Sequence, residues 1–258
     1  MRLIVNDAVS DGAMEKSISW PVKKVRQSLA TRGLAETARL AASLAIRQSV
    51  LAPMDRRLDK HLQTNTFGRI PPQQLDFDAE GPALNSGYEA TNTFTLRLFI
   101  RALGIDPAKF TFIDFGSGMG RSLCIAAGFP FRRVLGVELS EMLSGHAERN
   151  VARLLESGQA RCRDIQVVNM DATLFEPPEE DLVVFLFNPF GPEPLGRVIA
   201  RLGSEVAKGR KIYIIYQHPK HREVVEASEH FAPFGIPLVL AGLLHVTTPA
   251  KWALYESV

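Results

Sequence analysis

The sequence predicts an α/β protein whose mostly parallel, doubly wound sheet is covered by helices on both faces. Beyond Thr91, short apolar runs of strand length alternate with stretches of helical length. Helical connections of this kind join parallel strands, which are buried on both faces. The last two apolar segments are separated by too few residues for a helix. We therefore expect the seven-stranded sheet to end in an antiparallel hairpin.

Five of the predicted strands are continuous apolar runs, namely Phe110–Phe115, Val134–Glu138, Ile165–Val168, Leu182–Phe187 and Lys211–Tyr216. The final hairpin is predicted to pair Pro237–Val246 with Lys251–Ser257. Helices are expected between the strands, among them Thr93–Leu103, a helix capped by Ser140 and a short helix over Arg222–Glu229.

The first 90 residues differ from the rest because they contain no strand-like run. Trp20–Leu51 is predicted to be helical, and the segment from Pro21 to Asn65 has nine Lys or Arg and three Asp or Glu, a net charge of +6. We expect residues 1–90 to form a helical N-terminal extension that serves as a lid, and residues 91–258 to form a second domain. No aromatic residues accompany the basic charge, so a nucleic-acid partner is possible but not favoured.

The overall composition excludes several classes of protein. The 258 residues are 46% hydrophobic and 22% charged, which is typical of a globular protein. Cys124 and Cys162 lack the spacing of a metal site or a disulfide framework, so no metal is expected. No continuous apolar region resembles a secretory signal or reaches the roughly 20 residues of a membrane span. We therefore expect a cytoplasmic protein that is not inserted in a membrane.

The strongest motif is FIDFGSGMGR, which follows a predicted strand and begins a helix. Glycines at a strand-to-helix turn allow a ligand or a second backbone to approach closely. Gly116 can form the turn, Gly118 can allow the close approach and Gly120 can allow tight helix–strand packing. Asp114 would repel a pyrophosphate but suits an ammonium group, and the helix N-terminus suits a carboxylate. The motif therefore indicates an amino-acid group more than a dinucleotide.

Two further acidic residues follow the next two strands. Glu138 lies 22 residues after Gly116 and can accept hydrogen bonds from both hydroxyls of a ribose, as in sites for NAD and for S-adenosylmethionine. Asp171, in the sequence NMDA, can accept a hydrogen bond from an adenine amino group. Alternatively, Glu138 is an ordinary acidic residue before the N-terminus of the following helix, and Asp171 is an acidic residue of a loop.

Together these motifs resemble the class I S-adenosylmethionine-dependent methyltransferases, over residues 90 to 258. FIDFGSGMG is similar to their first motif, VLGVE to their ribose-binding acid and NMDA to their adenine-binding acid. The segment GYEATNTFTLRLFIRALGID is similar to bacterial methyltransferases without an assigned substrate. The resemblance implies a Rossmann-like sheet with a reversed last strand and S-adenosyl-L-methionine as cofactor. It also implies ten cofactor-binding residues: Asp114, Gly116, Ser117, Gly118, Gly120, Glu138, Leu139, Met170, Asp171 and Ala172.

The acceptor side is predicted from the sequence FNPFG after the fourth strand. Asn188, Pro189 and Phe190 are the expected catalytic residues, because ligands of open α/β sheets bind beyond the carboxyl ends of the strands. The turn resembles the Asn-Pro-Pro-aromatic motif of amine-directed methyltransferases, but it lacks the second proline. An unidentified amine acceptor, in a protein or a small molecule more than in RNA, is one interpretation; a structural turn is the other. Tyr88 and His218 are further candidates for substrate binding.

Two other functions share part of this pattern. A nicotinamide-dependent oxidoreductase would use the same fold and the same ribose-binding acid, although Asp114 and the G-x-G-x-G spacing disfavour it. A non-catalytic module would keep the fold and bind the cofactor only structurally. The presence of all three expected acids, Asp114, Glu138 and Asp171, disfavours such a module.

Overall fold

The computed structural model describes residues 30–31, 33–76, 87–238, 241–242 and 252–258. The start of the helix expected from Trp20 therefore lies outside the described residues. The basic residues Lys23, Lys24, Arg26 and Arg32 also lie outside them. The remaining part of that prediction falls on residues that are helical.

The described N-terminal residues form two helices and a small sheet. Helix α1 covers residues 33–46, a π-helical turn covers Arg47–Leu51 and α2 covers Ala52–Leu62. Strands β1 (Arg69–Ile70) and β2 (Tyr88–Glu89) pair antiparallel. These two strands were not indicated by the sequence, in which the first 90 residues contain no strand-like run. Strands of two residues are too short to produce a periodic pattern, and their partners are distant in sequence.

The central sheet has seven strands, which the sequence predicted. Its first five are β3 (Phe110–Phe115), β4 (Arg133–Glu138), β5 (Ile165–Asn169), β6 (Asp181–Phe187) and β7 (Ile212–Gln217). The last two are β8 (Phe231–Pro233) and β9 (Trp252–Ser257). The order across the sheet is β5-β4-β3-β6-β7-β9-β8, and β3 to β7 pair in parallel. The order reverses between β3 and β6, which opens a crevice at their carboxyl ends.

The reversed strand of the sheet is β9, which pairs antiparallel with both β7 and β8. This is the sheet that the resemblance to class I methyltransferases implies. The partner of β9 in the hairpin is Phe231–Pro233, so the predicted strand over Pro237–Val246 is wrong in its described part. Leu238, Ala241 and Gly242 are helical there, and residues 239–240 and 243–246 lie outside the described residues.

Helices pack on both faces of the sheet. They are α3 (Thr93–Ala102), α4 (Arg121–Ala126), α5 (Glu141–Glu156), α6 (Pro192–Ala207) and α7 (Arg222–Glu226). Successive strand residues face opposite sides. Accordingly, Phe112 and Phe185 belong to one hydrophobic cluster, and Ile113 and Val184 belong to the other. No helix in the described part of the chain is long and apolar enough to cross a membrane.

Candidate functional site

A cavity of about 1110 Å³ lies beyond the carboxyl ends of the central parallel strands. Most of the residues expected at the site line it: Tyr88, Asp114, Gly116, Ser117, Gly118, Glu138, Leu139, Asp171, Ala172, Asn188, Pro189, Phe190 and His218. Gly120 and Met170 do not line the cavity. Within the described residues, no group of three His, Cys, Asp or Glu side chains could hold a metal ion.

The glycine turn, residues 116–120, follows β3 and depends on left-handed backbone conformations. Gly116, Gly118 and Gly120 have φ angles of 81°, 55° and 78°. A Cβ atom on Gly116 would lie 2.6 Å from Cβ of Pro189, and one on Gly118 would lie 2.3 Å from Cδ2 of Tyr88. Both glycines therefore allow close contacts inside the site, which only a residue without Cβ permits.

Gly120 has a different role from the one expected. A Cβ atom at this position would lie 3.1 Å from Cβ of Ala147 in α5, so the glycine allows two helices to pack closely. The expected contact was between a helix and a strand. Gly120 also has the left-handed conformation that begins α4.

Asp114 lies near the end of β3 and is 3% exposed. Its Oδ2 accepts a hydrogen bond from Ser122, whereas its Oδ1 has no hydrogen-bond partner among the described residues. Burial raises the pKa of Asp114 to about 7, against the effect of the Ser122 hydrogen bond, and the charge of Glu138 adds to the rise. A buried carboxylate oxygen without a donor is costly, and a positively charged ligand group would satisfy it.

Glu138 ends β4 and is also buried. Its Oε2 accepts a hydrogen bond of 2.7 Å from the N–H of Gly118, and its Oε1 accepts one of 2.9 Å from the N–H of Ser140. Burial raises the pKa of Glu138, although these backbone donors oppose the rise. The ribose-binding candidate is thus fixed to the glycine turn on one side and to the start of α5 on the other.

The third expected acid lies in a more open position. Asp171 is exposed, and its Oδ1 accepts a hydrogen bond of 2.8 Å from the N–H of Thr173. Leu139, which is 45% exposed, also lines the cavity, as does Ala172. Met170 instead packs against the hydrophobic cluster below the cavity. These positions form an open border of the cavity near β4 and β5.

Two turns at the other side of the cavity have unusual backbone conformations. Asn188, which follows β6, has a φ angle of 43°, and His218, which follows β7, has a φ angle of 51°. The His218 ring stacks on Phe187 with an interplanar angle of 7°. Left-handed conformations in non-glycine residues cost about 1–3 kcal/mol and are concentrated at functional sites. Phe190 lines the cavity but is 7% exposed and packs into the core.

Arg121 is a residue of the site whose role the sequence did not indicate. It is 2% exposed and forms ion pairs with Asp55 (2.9 Å) and Asp59 (3.1 Å), both in α2. It also donates to the Asp55 carbonyl, to Thr66 Oγ1 before β1, to Thr91 O before α3 and to Thr93 Oγ1 at the start of α3. The partners lie 28 to 66 residues away in sequence, so no local pattern could have revealed them.

Asp76 is a second contact that the sequence did not indicate. Its carboxylate accepts hydrogen bonds from the Ser140 hydroxyl and, at 2.9 Å, from the N–H of Met142. Burial opposes ionisation, but these hydrogen bonds lower the pKa of Asp76. Asp76 therefore stabilises the N-terminus of α5 next to Glu138, and it lines the same cavity.

No protein-family model matches the sequence, and no curated protein matches it significantly. Among solved structures, the chain is similar to the ribosomal protein L11 methylase of Lactobacillus delbrueckii subsp. bulgaricus, with 17% identity over 64% of this chain and 77% of that chain, at a TM-score of 0.44. It is similar to magnesium protoporphyrin IX methyltransferase of Synechocystis PCC 6803, crystallised with bound SAM, with 15% identity over 98% of this chain and 99% of that chain, at a TM-score of 0.45.

A third similar structure is a SAM-dependent methyltransferase of Geobacter sulfurreducens in complex with S-adenosyl-L-homocysteine. The identity is 14% over 64% of this chain and 90% of that chain, and the TM-score is 0.40. TM-scores below 0.5 are too low to support a function. The fold assignment rests instead on the order and direction of the strands in the central sheet.

Proposed function

We propose that the protein is an S-adenosylmethionine-dependent methyltransferase. The observation that carries the proposal is the buried Oδ1 of Asp114, which has no hydrogen-bond partner among the described residues and lies in the wall of the cavity. An ammonium group satisfies such an oxygen and its charge, whereas a pyrophosphate would be repelled. This supports a cofactor with an amino-acid group over a dinucleotide.

The other acids fit the nucleoside part of the same cofactor. Each oxygen of Glu138 accepts one backbone hydrogen bond and retains the capacity to accept another from a ribose hydroxyl. Asp171 and Leu139 border the cavity where an adenine would lie, with Asp171 accepting from its amino group. The four other proposed cofactor-binding residues of the cavity wall provide backbone and shape: Gly116, Ser117, Gly118 and Ala172.

The proposed acceptor site is the turn after β6. When bound, S-adenosylmethionine supplies a methyl group made electrophilic by the adjacent positive sulfur. The side-chain oxygen of Asn188 and the carbonyl of Pro189 are hydrogen-bond acceptors that can orient the N–H groups of an amine, and Phe190 can contact its apolar part. Orientation and exclusion of water are the main contributions that a protein makes to such a transfer. The finer proposal is therefore an amine acceptor.

Calorimetry with S-adenosylhomocysteine and with NAD tests the cofactor. Binding of S-adenosylhomocysteine without binding of NAD is the expected result, and the reverse would overturn the proposal and favour the oxidoreductase alternative. A labelled-methyl assay against lysate fractions of protein, RNA and small molecules then identifies the acceptor. Cofactor binding without transfer to any fraction would favour the non-catalytic alternative.

A further inference from the structure

The glycine turn belongs to a closed series of contacts that we call the Arg121 clamp, formed by Tyr88, Thr66, Asp59 and Arg121. The ring of Tyr88 lies directly against Gly118, and its hydroxyl donates a hydrogen bond to the carbonyl of Thr66. Thr66 donates from its N–H (3.0 Å) and from its hydroxyl (2.6 Å) to the carboxylate of Asp59. Asp59 forms an ion pair with Arg121. Because Arg121 directly follows the glycine turn in the chain, the series of contacts is closed.

The clamp therefore joins the two sides of the cavity wall at the glycine turn. Tyr88 comes from β2 and Arg121 begins α4, and both line the cavity together with Gly118. Asp59 and Thr66 are thus connected to the turn through Tyr88 on one side and through Arg121 on the other.

The energetics of the buried Arg121 ion pairs indicate that these contacts fix the geometry of the turn more than they add stability. A buried ion pair adds little net stability compared with apolar side chains of similar volume, because both charges lose their hydration. Arg121 nevertheless directs its N–H groups to oxygen atoms of five residues, namely Asp55, Asp59, Thr66, Thr91 and Thr93. Such a planar, fully bonded guanidinium fixes several segments in one arrangement.

We propose that Arg121 is a positioning residue, which acts through Asp59, Thr66 and Tyr88 to hold the glycine turn in the conformation that receives the cofactor. This inference rests on the proposed function. It makes Asp59 of α2, Thr66 and Tyr88 of β2 part of the support of the cofactor site.

The clamp can be weakened without leaving a buried charge unpaired. Replacement of Arg121 itself would strand Asp55 and Asp59 and endanger folding. Thr66→Val instead keeps the shape and the backbone contacts but removes the hydroxyl, which donates to Asp59 and accepts from Arg121. Thr111→Val is the matched control, because Thr111 is equally buried and its hydroxyl also donates to a carboxylate, that of Glu180, which lies outside the Arg121 clamp.

A second pair of variants tests the other side of the clamp. Tyr88→Phe keeps the ring on Gly118 and removes the hydrogen bond to Thr66. Its control is Tyr255→Phe. Tyr255 lies in β9, does not line the cavity, and donates a hydrogen bond to Glu226 of α7, which the substitution removes. Calorimetry well below each unfolding temperature should show S-adenosylhomocysteine binding about 3- to 10-fold weaker in Thr66→Val and in Tyr88→Phe, and unchanged in both controls. The double variant should lose less than the product of the single losses, because both act on one network.

Hydrogen exchange gives a readout that does not depend on the cofactor. In the ligand-free protein, the amides of residues 116–121 should exchange faster in Thr66→Val and Tyr88→Phe than in the parent, and at the parental rate in the controls. Parental affinity together with parental exchange in both folded variants would overturn the positioning role. If the parent itself does not bind S-adenosylhomocysteine, the proposed function fails, and the exchange rates still decide whether the clamp holds the turn.

Discussion

The N–H of Gly118 donates a hydrogen bond of 2.7 Å to Oε2 of Glu138. This bond joins the turn after β3 to the end of β4, so the two motifs most typical of a cofactor site are fixed to each other before any ligand binds. A carboxylate has about four positions for accepting hydrogen bonds, and Glu138 uses two of them for Gly118 and Ser140. The remaining capacity is what a ribose requires.

Glu138→Gln should weaken binding of S-adenosylhomocysteine. The amide replaces one accepting oxygen by a donor, which cannot serve both the backbone N–H groups and two ribose hydroxyls. Loss of a charged hydrogen bond is worth about 1.5–3 kcal/mol, or roughly 10- to 100-fold in affinity measured by calorimetry. Glu205→Gln is the control, since Glu205 is equally buried but pairs with Lys208 outside the cavity. Equal affinities of the two variants would disprove the ribose assignment.

The strands of the parallel sheet could be predicted from sequence to within one residue at each end, as β3 and β6 illustrate. Parallel strands buried on both faces are continuous apolar runs, which are visible without knowledge of their partners. Strand β8, the partner of β9 at the sheet edge, could not be predicted, because Phe231–Pro233 is short and ends in proline. Its identity depends on pairing across the sheet edge.

The candidate site shows the same division. Asp114 and Glu138 were predicted because each lies at the end of a strand, beside a local glycine or turn signal. Arg121 follows the same glycine motif, but its function depends on carboxylates from α2 more than 60 residues earlier. A single sequence contains no signal that connects such distant residues.

The affinity for S-adenosylhomocysteine should depend on pH through Asp114. With a pKa raised to about 7 by burial, this carboxyl group carries a proton at lower pH, and that proton competes with the ligand's ammonium group. Affinity should therefore be close to its maximum at about pH 8 and fall by about 10-fold per unit well below pH 7. Asp114→Asn should bind more weakly at pH 8 and should lose this dependence. A parent whose affinity is flat between pH 5.5 and 8 would contradict the assignment.

Asp114→Asn should weaken ligand binding at pH 8, but it should make the ligand-free protein more stable relative to the parent as the pH rises. The pKa of Asp114 is raised from 3.8 to about 7, so its contribution to stability is present below pH 4 and is lost as pH rises through 7. Asp114→Asn has no such loss. Relative to the parent, the ligand-free variant should gain stability between pH 5 and pH 8, measured as the urea midpoint at both values. If the urea midpoints of variant and parent differ by the same amount at both pH values, Asp114 is not a buried carboxyl group with a raised pKa.

Gly118→Ala should destabilise the protein more than Gly158→Ala. Both glycines have positive φ angles, 55° and 71°, so both substitutions cost about 1–2 kcal/mol in backbone strain. A Cβ atom at Gly158 would contact nothing within 4 Å, whereas one at Gly118 would lie 2.3 Å from the Tyr88 ring. Urea unfolding measures the difference. Equal losses would mean that Tyr88 moves away easily and does not form a fixed wall.

Asn188 provides the sharpest test of methyl transfer. Its left-handed conformation makes Asn188→Gly a better variant than Asn188→Ala, because glycine removes the side chain without adding strain. The residue lies after β6 and is not a proposed holder of the cofactor, so affinity for S-adenosylhomocysteine should stay near the parental value. If its amide orients the acceptor, turnover in the labelled-methyl assay should fall by about 100-fold. Gln63→Gly, at an exposed positive φ angle of 56° outside the cavity, controls for the backbone change and should transfer normally. Parental turnover in Asn188→Gly would make the turn structural and remove the support for an amine acceptor, and loss of cofactor binding would place Asn188 on the cofactor instead.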